Sequence, residues 1–288
     1  MRDPFACIVC GGVRFKPVFR KGPWRYDQCR GCRTVALHPR PDEARVLASY
    51  EDYLSPAPAA AAAWEAMTAP VVLRAAHLLK TRCAGRRLLD IGCGYGFFLK
   101  KMQDIGWQVQ GVEVSAVGRH YARRRLGLRV KAGPLKTLEA PSDRFDAVTL
   151  FYVIEHLRDP LGLLRRVHAL LRPAGIVMIR WPHSTPIVKL FGPLARHFDL
   201  YHTPYHLYDF NPESLAILLR KAGFAAVETF IGGHTLPAKA GYRLSSVFFG
   251  RAAEALCRLS GNRWLLPGVS KTTVAVKAGG FDNPGDKL

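Results

Sequence analysis

The sequence predicts an α/β fold: a parallel sheet with helices on both faces, preceded by a small cysteine-rich ribbon. Residues 88–91 form an apolar run that leads into three alternating glycines, and an amphipathic segment with helical spacing follows. Further apolar runs suited to buried strands alternate with amphipathic segments towards residue 277. Two C-x-x-C pairs lie near the N-terminus. Strand–turn–helix units build open parallel sheets, and paired cysteines build metal-stabilised ribbons.

Composition allows one large domain with a small addition. The chain has 288 residues, 49% of them hydrophobic, which supports a sizeable core and argues against global disorder. Lys and Arg number 42 against 22 Asp and Glu, giving a net charge of +20. Such an excess favours an anionic partner: nucleic acid, an anionic membrane surface or a phosphorylated substrate. A general arginine bias of the source proteome is the alternative explanation for part of it.

Cysteine usage predicts a reducing compartment. The N-terminus has no apolar core typical of a signal peptide, and no uncharged apolar run is long enough to span a membrane. An odd number of cysteines, 7, argues against a disulfide scaffold. We therefore expect a cytoplasmic location, with peripheral contact at the inner face of the membrane as a further expectation.

Residues 1–40 have the pattern of a zinc ribbon. The two C-x-x-C pairs are separated by 18 residues, and they supply four candidate ligands: Cys7, Cys10, Cys29 and Cys32. Four thiolates form a closed, structural zinc site, and a segment this short depends on its metal to fold. Strand-like runs at residues 13–19 and 24–27 lie between the pairs. A redox-active C-x-x-C is the alternative.

The rest of the chain divides into three predicted parts. Residues 41–80 are predicted as a helical linker, with a helix over 59–80 that caps the pocket at the end of the first strand. Residues 81–278 are predicted as the main domain, with lid insertions near 184–210 and 236–268. Residues 279–288 are predicted as a disordered tail.

A ligand-binding turn follows the first strand of the main domain. The stretch D-x-G-x-G-x-G contains Asp90, Gly92, Gly94 and Gly96, and glycines accept positive φ and let a ligand approach the backbone. Glu113 ends the next strand, where a carboxylate can accept hydrogen bonds from ribose hydroxyls. A dinucleotide site prefers G-x-G-x-x-G, and the nearby carboxylate would repel a pyrophosphate. The carboxylate of Asp90 suits a ligand that carries a cationic amine and a sulfonium.

This stretch resembles motif I of the class I S-adenosylmethionine-dependent methyltransferases. The resemblance implies a Rossmann-like, seven-stranded, mostly parallel sheet whose last two strands are antiparallel. It also implies S-adenosylmethionine as cofactor. The residues expected to bind it are Asp90, Gly92, Cys93, Gly94, Gly96, Glu113, Val114, Leu135 and Phe151.

Residues 154–160 resemble the E-H-L-x-D-P signature of small-molecule methyltransferases. We predict His156 as the base and Glu155 as its partner, because histidine is the natural base near pH 7. A purely structural role, in capping a helix or pairing with Glu155, is the alternative. In ubiquinone-type O-methyltransferases the corresponding Glu-His, with a Glu three residues earlier, is linked to a divalent metal. Tyr152 stands at that earlier position here, which argues against metal dependence.

The two predicted insertions carry residues that can contact substrate or membrane. His206 lies among aromatic residues at the end of the first insertion, and we predict it as a third catalytic-site residue. Residues 244–266 mix basic and aromatic side chains on an amphipathic segment, a pattern typical of membrane-surface helices. Packing within the lid is the alternative for both.

The predicted function is S-adenosylmethionine-dependent O-methylation of a small molecule such as a glycan, lipid or secondary metabolite. The acceptor is expected to be phosphorylated or lipid-linked. Sugar C-methyltransferases share the ribbon but carry a further C-terminal domain. Ribosomal RNA base methyltransferases suit the charge, but residues 151–154 differ from the N/D-P-P-Y/F motif of amine methylation. Nucleic acid is therefore less favoured. A non-catalytic cofactor-binding scaffold is the remaining alternative.

Overall fold

The computed structural model describes residues 5–51, 53–133, 144–197, 199–236, 240–266 and 270–278. The strands in chain order are β1 Phe15–Lys21, β2 Trp24–Cys29, β3 Val35–His38, β4 Arg87–Ile91, β5 Gln108–Glu113, β6 Val130–Ala132, β7 Phe145–Phe151, β8 Leu171–Trp181, β9 Tyr208–Asp209, β10 Phe224–Phe230 and β11 Lys271–Lys277. The helices are α1 Glu43–Glu51, α2 Pro58–Arg82, α3 Phe97–Asp104, α4 Ala116–Arg124, α5 Pro160–Leu170, α6 Thr185–Phe191, α7 Pro212–Lys221 and α8 Ala240–Leu259. The predicted disordered tail and Leu135 lie outside these described residues.

The main sheet has seven strands in the order β10-β11-β8-β7-β4-β5-β6. Strands β8, β7, β4, β5 and β6 are parallel, whereas β11 runs antiparallel to both β8 and β10. The predicted mostly parallel sheet with an antiparallel last pair is therefore confirmed. The carboxyl ends of the parallel strands lie at one edge, which we call the carboxyl edge.

Helices cover both faces of this sheet. Leu89 packs in one core cluster together with α5 and α7, and its neighbour Leu88 packs in a second cluster with α2, α3 and α8. Side chains of adjacent strand residues point to opposite faces, so the two clusters lie on the two faces of the sheet. Such double coverage explains why the central strands are continuously apolar.

The N-terminal ribbon shares its sheet with the main chain. Its four strands have the order β1-β2-β3-β9, and the fourth strand comes from the region before α7. Val35 and Ala36 pair with Asp209 and Tyr208, respectively. The ring of Tyr26 stacks on that of Tyr201 with centroids 4.3 Å apart. Neither β3 nor this shared strand was predicted, because strands of four and two residues are too short to show a clear periodicity.

Caps explain where several helices start. The side chain of Asp159 accepts a hydrogen bond from Gly162 N at 2.8 Å, and Pro160 follows at the first helical position. Asn211 and Ser214 form a reciprocal capping box at α7. Helix α6 ends at Phe191, and Gly192 after it has a φ of 51°.

Strand β8 has an irregular first part. It begins at Leu171, which pairs with Phe145, and an irregularity that contains Ala174 at a φ of 61° follows. At the other edge of the sheet, β6 has only three residues. None of the helices in the described parts of the chain combines the length and apolar character that crossing a lipid bilayer requires.

Candidate active site and metal centre

The glycine turn after β4 has the predicted left-handed backbone. Gly92, Gly94 and Gly96 have φ values of 73°, 56° and 89°. A Cβ on Gly92 would lie 2.6 Å from a methyl group of Val153, so that position tolerates only glycine. At Gly94 the nearest such atom is Cδ1 of Leu54 at 3.9 Å. The turn therefore exposes bare backbone on the side where a ligand would lie.

Two buried carboxylates flank this turn at the ends of neighbouring strands. Asp90 is 2% exposed and accepts a hydrogen bond from Thr149 Oγ1 at 2.6 Å, and burial raises the pKa of its carboxyl to about 7. Glu113 accepts from the backbone N–H of Gly94 at 2.7 Å and of Ser115 at 2.8 Å. Glu113 therefore fixes the shape of the glycine turn. The predicted ribose contact would be made by the same carboxylate.

The remaining predicted cofactor residues lie around the same edge. Cys93 is in the turn and donates its N–H to Val112 O at 3.3 Å. Val114 directly follows β5 and is half-buried. Phe151 ends β7, and its ring packs against Phe98 with centroids 4.9 Å apart. The structure therefore brings these three residues to the carboxyl edge.

The segment after α1 covers the glycine turn. Leu54 is 5% exposed, Tyr95 Oη donates to Ser55 O at 2.6 Å, and Ser115 Oγ donates to Glu51 O at 3.3 Å. The sequence predicted a cap from the long helix of the linker. Ala61 and Trp64 of that helix pack in the same cluster as Leu54 and Tyr95, and the chain before the helix covers the turn as well. Residues 53–55 lie between helices and have no hydrophobic period, so pattern analysis could not find them.

His156 lies in a 3-10 turn, Ile154–His156, which follows β7. Its Nδ1 is 3.0 Å from Tyr205 O and is also hydrogen-bonded to the hydroxyl of Tyr50. A carbonyl oxygen can only accept, so Nδ1 carries the proton and Nε2 keeps its lone pair. Burial lowers the pKa of the imidazole to about 4. The ring is therefore neutral near pH 7, and its unprotonated Nε2 can accept a proton.

Glu155 is fully buried beside this imidazole. Within the described chain neither carboxylate oxygen has a hydrogen-bond partner, and Oε1 lies 3.8 Å from Nε2 of His156. Burial raises the pKa of Glu155 to about 8. Buried carboxyl groups are almost always paired, so this one marks a site built for a proton or a ligand.

His206 completes a three-residue cluster with Glu155 and His156. The two imidazole rings are 4.7 Å apart, and the ligand atoms of all three residues lie within 4.8 Å of one another. Two imidazoles and one carboxylate are suitable ligands for a divalent transition-metal ion. In the sequence, Tyr152 occupies the position where a third metal ligand was expected, and tyrosine does not match that ligand. In the structure, the third candidate ligand is His206, from the loop before β9.

Tyr50 and Thr149 are functional-site residues that sequence reasoning missed. Thr149 interrupts a continuously apolar buried strand, and that polar residue was a usable signal. Tyr50 lies on α1, far from the motifs in sequence, and no pattern links it to His156.

The four ribbon cysteines converge as predicted. Their sulfurs lie within 4.8 Å of one another, with Cys7 Sγ and Cys32 Sγ 3.5 Å apart and Cys10 Sγ and Cys29 Sγ 3.5 Å apart. Tetrahedral zinc with Zn–S bonds of about 2.3 Å requires sulfurs roughly 3.8 Å apart, so the arrangement fits the ion. A Cβ on Gly12 or Gly31 would lie 3.3 Å from Cys10 Sγ. Both glycines therefore let the backbone approach the sulfurs closely.

Comparisons with known proteins agree with this geometry. The family model described as "Methyltransferase domain" matches residues 64–229, more than half of the chain. A Mycolicibacterium smegmatis protein named "Probable S-adenosylmethionine-dependent methyltransferase" is 34% identical over 160 residues, 55% of this chain and 58% of that protein. A ubiquinone biosynthesis O-methyltransferase of Stutzerimonas stutzeri is 30% identical over 174 residues, 57% of this chain and 74% of that enzyme.

A solved structure shares the fold. The crystal structure of a SAM-dependent methyltransferase from Thermotoga maritima superposes with a TM-score of 0.53 at 18% identity, covering 81% of this chain and 99% of that one. The chain spans 58% of the length of the mycobacterial relative. The matched range contains the glycine turn, Glu113 and the Glu155–His156 pair. The chain therefore belongs to the methyltransferase domain family.

Proposed function

We propose that the enzyme methylates an oxygen atom of a small-molecule acceptor, with His156 as the base. The neutral imidazole with a free Nε2 at the carboxyl edge carries this proposal. Nε2 would take the hydroxyl proton as the acceptor oxygen attacks the methyl group. The bond from that methyl to sulfur breaks, and S-adenosylhomocysteine leaves. A positioned base contributes about 10²–10⁴-fold to such a step.

The cofactor would lie on the glycine turn. We assign its amine and sulfonium end to the side of Asp90, where negative charge is favourable, and its ribose to Glu113. Gly94 supplies the open backbone, Gly92 and Gly96 allow the turn to pack closely against Val153 and Leu128, and Leu54 covers the turn. The relatives named ubiquinone biosynthesis O-methyltransferase support transfer to oxygen.

A divalent cation is a second candidate feature of this site. The unpartnered oxygens of Glu155, together with His156 and His206, favour it. A cation held there would lower the pKa of a bound acceptor hydroxyl and so replace His156 as the activator. In that case Nε2 of His156 would be a ligand rather than a base, and the hydrogen bond from Nδ1 to Tyr205 O would orient the ring.

The N-terminal cysteines are proposed to hold a structural zinc ion. In the proposed division, residues 1–40 form the ribbon, 41–80 the linker that covers the cofactor and 81–278 the catalytic domain. The zinc site is closed by four thiolates and lies apart from His156 in the chain, so we assign it no part in methyl transfer.

The net charge of +20 supports a phosphorylated or lipid-linked acceptor, and the odd number of cysteines supports a cytoplasmic enzyme. Nucleic acid is the less favoured partner, because the segment after β7 resembles that of small-molecule methyltransferases. A sugar C-methyltransferase and a non-catalytic scaffold remain the alternatives that product analysis would reveal.

The test uses methyl-labelled S-adenosylmethionine with a panel of hydroxyl, amine and RNA acceptors. We expect calorimetric binding of the cofactor, transfer to hydroxyl acceptors, and loss of transfer by about 10²–10⁴-fold in His156→Ala with cofactor affinity retained. His77→Ala, a change at an exposed histidine on α2, is the matched control. Transfer to amine or RNA acceptors, or full activity of His156→Ala, would contradict the proposal. Loss of activity on chelation, restored by a divalent ion, would favour the cation.

A further inference from the structure

Helix α8 has an apolar outer face that the described chain leaves uncovered. Leu244, Phe248 and Leu259 are 74%, 70% and 87% exposed, and they recur at helical spacing on one side of the helix. The opposite side is packed, since Ala253 and Cys257 are 0% and 2% exposed. The helix is therefore anchored by one side and presents large apolar side chains on the other. Apolar faces of this kind mark interaction surfaces.

Arginines border this outer face. Arg251 and Arg258 are exposed and share the outer side of α8 with Phe248 and Leu259. Arg258 lies 3.5 Å from Glu254, whose side chain is 20% exposed. The Arg258 side chain itself is 63% exposed and is therefore accessible from solvent. An apolar stripe with flanking cations matches the boundary between lipid headgroups and acyl chains.

Helix α8 lies in the connection between β10 and β11, which leaves and re-enters the sheet at its carboxyl edge. Strand β10 runs in the same direction as β8, because both are antiparallel to β11. Helix α8 follows the end of β10, and β11 starts at the same edge after it. The glycine turn and His156 follow the ends of β4 and β7, which terminate at this edge. The connection that carries α8 therefore begins and ends at the edge that also carries the proposed catalytic residues.

We propose that the outer face of α8 docks the enzyme onto an anionic lipid surface. The apolar residues would insert at the interface while Arg251 and Arg258 contact the headgroups. A second copy of the chain fits less well, because it would bring another +20 charge and the same arginines against this face. Nucleic acid would leave Leu244, Phe248 and Leu259 without a partner. The link to catalysis rests on the proposed function, whereas docking itself does not.

Vesicle flotation tests this proposal at 200 mM salt with phosphatidylcholine vesicles that contain or lack about 30% phosphatidylglycerol. We expect flotation with the anionic vesicles and little with phosphatidylcholine alone. The double variant Leu244→Ser/Phe248→Ser should reduce partitioning at least tenfold, and Arg251→Gln/Arg258→Gln about threefold to tenfold. Leu73→Ser, at a 55% exposed leucine on α2, is the matched control and should float like the wild type.

Several outcomes would overturn the proposal. These are no flotation of the wild type, equal flotation of Leu244→Ser/Phe248→Ser, or a dimer that the same variant abolishes. An RNA gel shift lost in the arginine variant, without flotation, would overturn it in favour of nucleic acid. Thermal melting of each variant shows whether it is folded. Cofactor calorimetry is run alongside, and its failure would contradict the proposed function without changing the vesicle result.

Discussion

The hydroxyl of Tyr50 is hydrogen-bonded to Nδ1 of His156, although 106 residues separate the two in the chain. Their rings are 5.1 Å apart in an edge-to-face arrangement. Tyr50 lies on α1, just before the segment that covers the glycine turn. The proposed base is therefore oriented by the same part of the linker that covers the proposed cofactor site.

Tyr50→Phe should slow methyl transfer by about threefold to tenfold without weakening cofactor binding, because it removes one of the two groups that hold Nδ1 of His156. The acid limb of the pH–rate profile should also move to lower pH, since the hydroxyl oxygen stabilises the protonated ring. Steady-state kinetics over pH, with the acceptor found by the panel, measures both. Tyr121→Phe is the matched control, because the Tyr121 ring on α4 contacts Tyr95 and Phe97 rather than His156. An unchanged profile in Tyr50→Phe would contradict a positioning role.

Gly94→Ala should weaken S-adenosylmethionine binding at least tenfold while the fold is retained. The nearest side-chain atom to the added Cβ is 3.9 Å away, so the methyl group occupies ligand space rather than core. Gly127→Ala is the control for backbone strain, because Gly127 has a φ of 66° and nothing within 4 Å of its Cβ position. Isothermal calorimetry compares the three proteins. Equal affinities would remove the glycine turn from the cofactor site.

Cys29→Ser should abolish binding of one zinc ion per chain and lower the melting temperature by several degrees, because a thiolate ligand of a structural site is lost. Elemental analysis and calorimetry of protein purified without added metal measure the two effects. Cys257→Ser is the control, since Cys257 donates to Asn262 Oδ1 at 3.2 Å and lies outside the ribbon. Full zinc content in Cys29→Ser would refute the assignment.

Glu155→Gln should stabilise the protein at high pH. The pKa of Glu155 is raised to about 8, so the folded protein binds more protons than the unfolded chain between its ordinary pKa of 4.5 and about 8. Its contribution to the free energy of unfolding therefore falls as pH rises through this window, by at most about 1.4 kcal/mol per pH unit. The free energy of unfolding of the variant should rise relative to that of the wild type from pH 5 to pH 9, and the difference should not change with pH below pH 4. Melting curves with a chelator present test this; a gain independent of pH would contradict it.

Much of the main sheet was predictable because its signals are local. The glycine turn, the Asp159–Pro160 helix start and the apolar strands each depend on residues adjacent in sequence, and the structure contains all three. The cluster of four cysteines was equally predictable, since metal ligands recur at short spacing in the sequence.

The composition of the active-site cluster was only half predictable. Glu155 and His156 are neighbours, but His206 and Tyr50 reach them through tertiary packing of a loop and a linker helix. The hydrogen bond between Glu113 and the backbone of the glycine turn could not be predicted either, because that contact depends on the register of β4 against β5.

The strand shared by the ribbon and the main chain has a consequence for synthesis. The hydroxyl of Tyr26 donates to the carbonyl of Tyr201, a contact between residues 175 apart. Strand β3 pairs with β9, which lies a few residues after Tyr201 in the chain. During synthesis residues 15–38 therefore wait, with one sheet edge unpaired, until residue 209 has been translated. Early metal capture by the cysteines would protect that edge from pairing with other nascent chains.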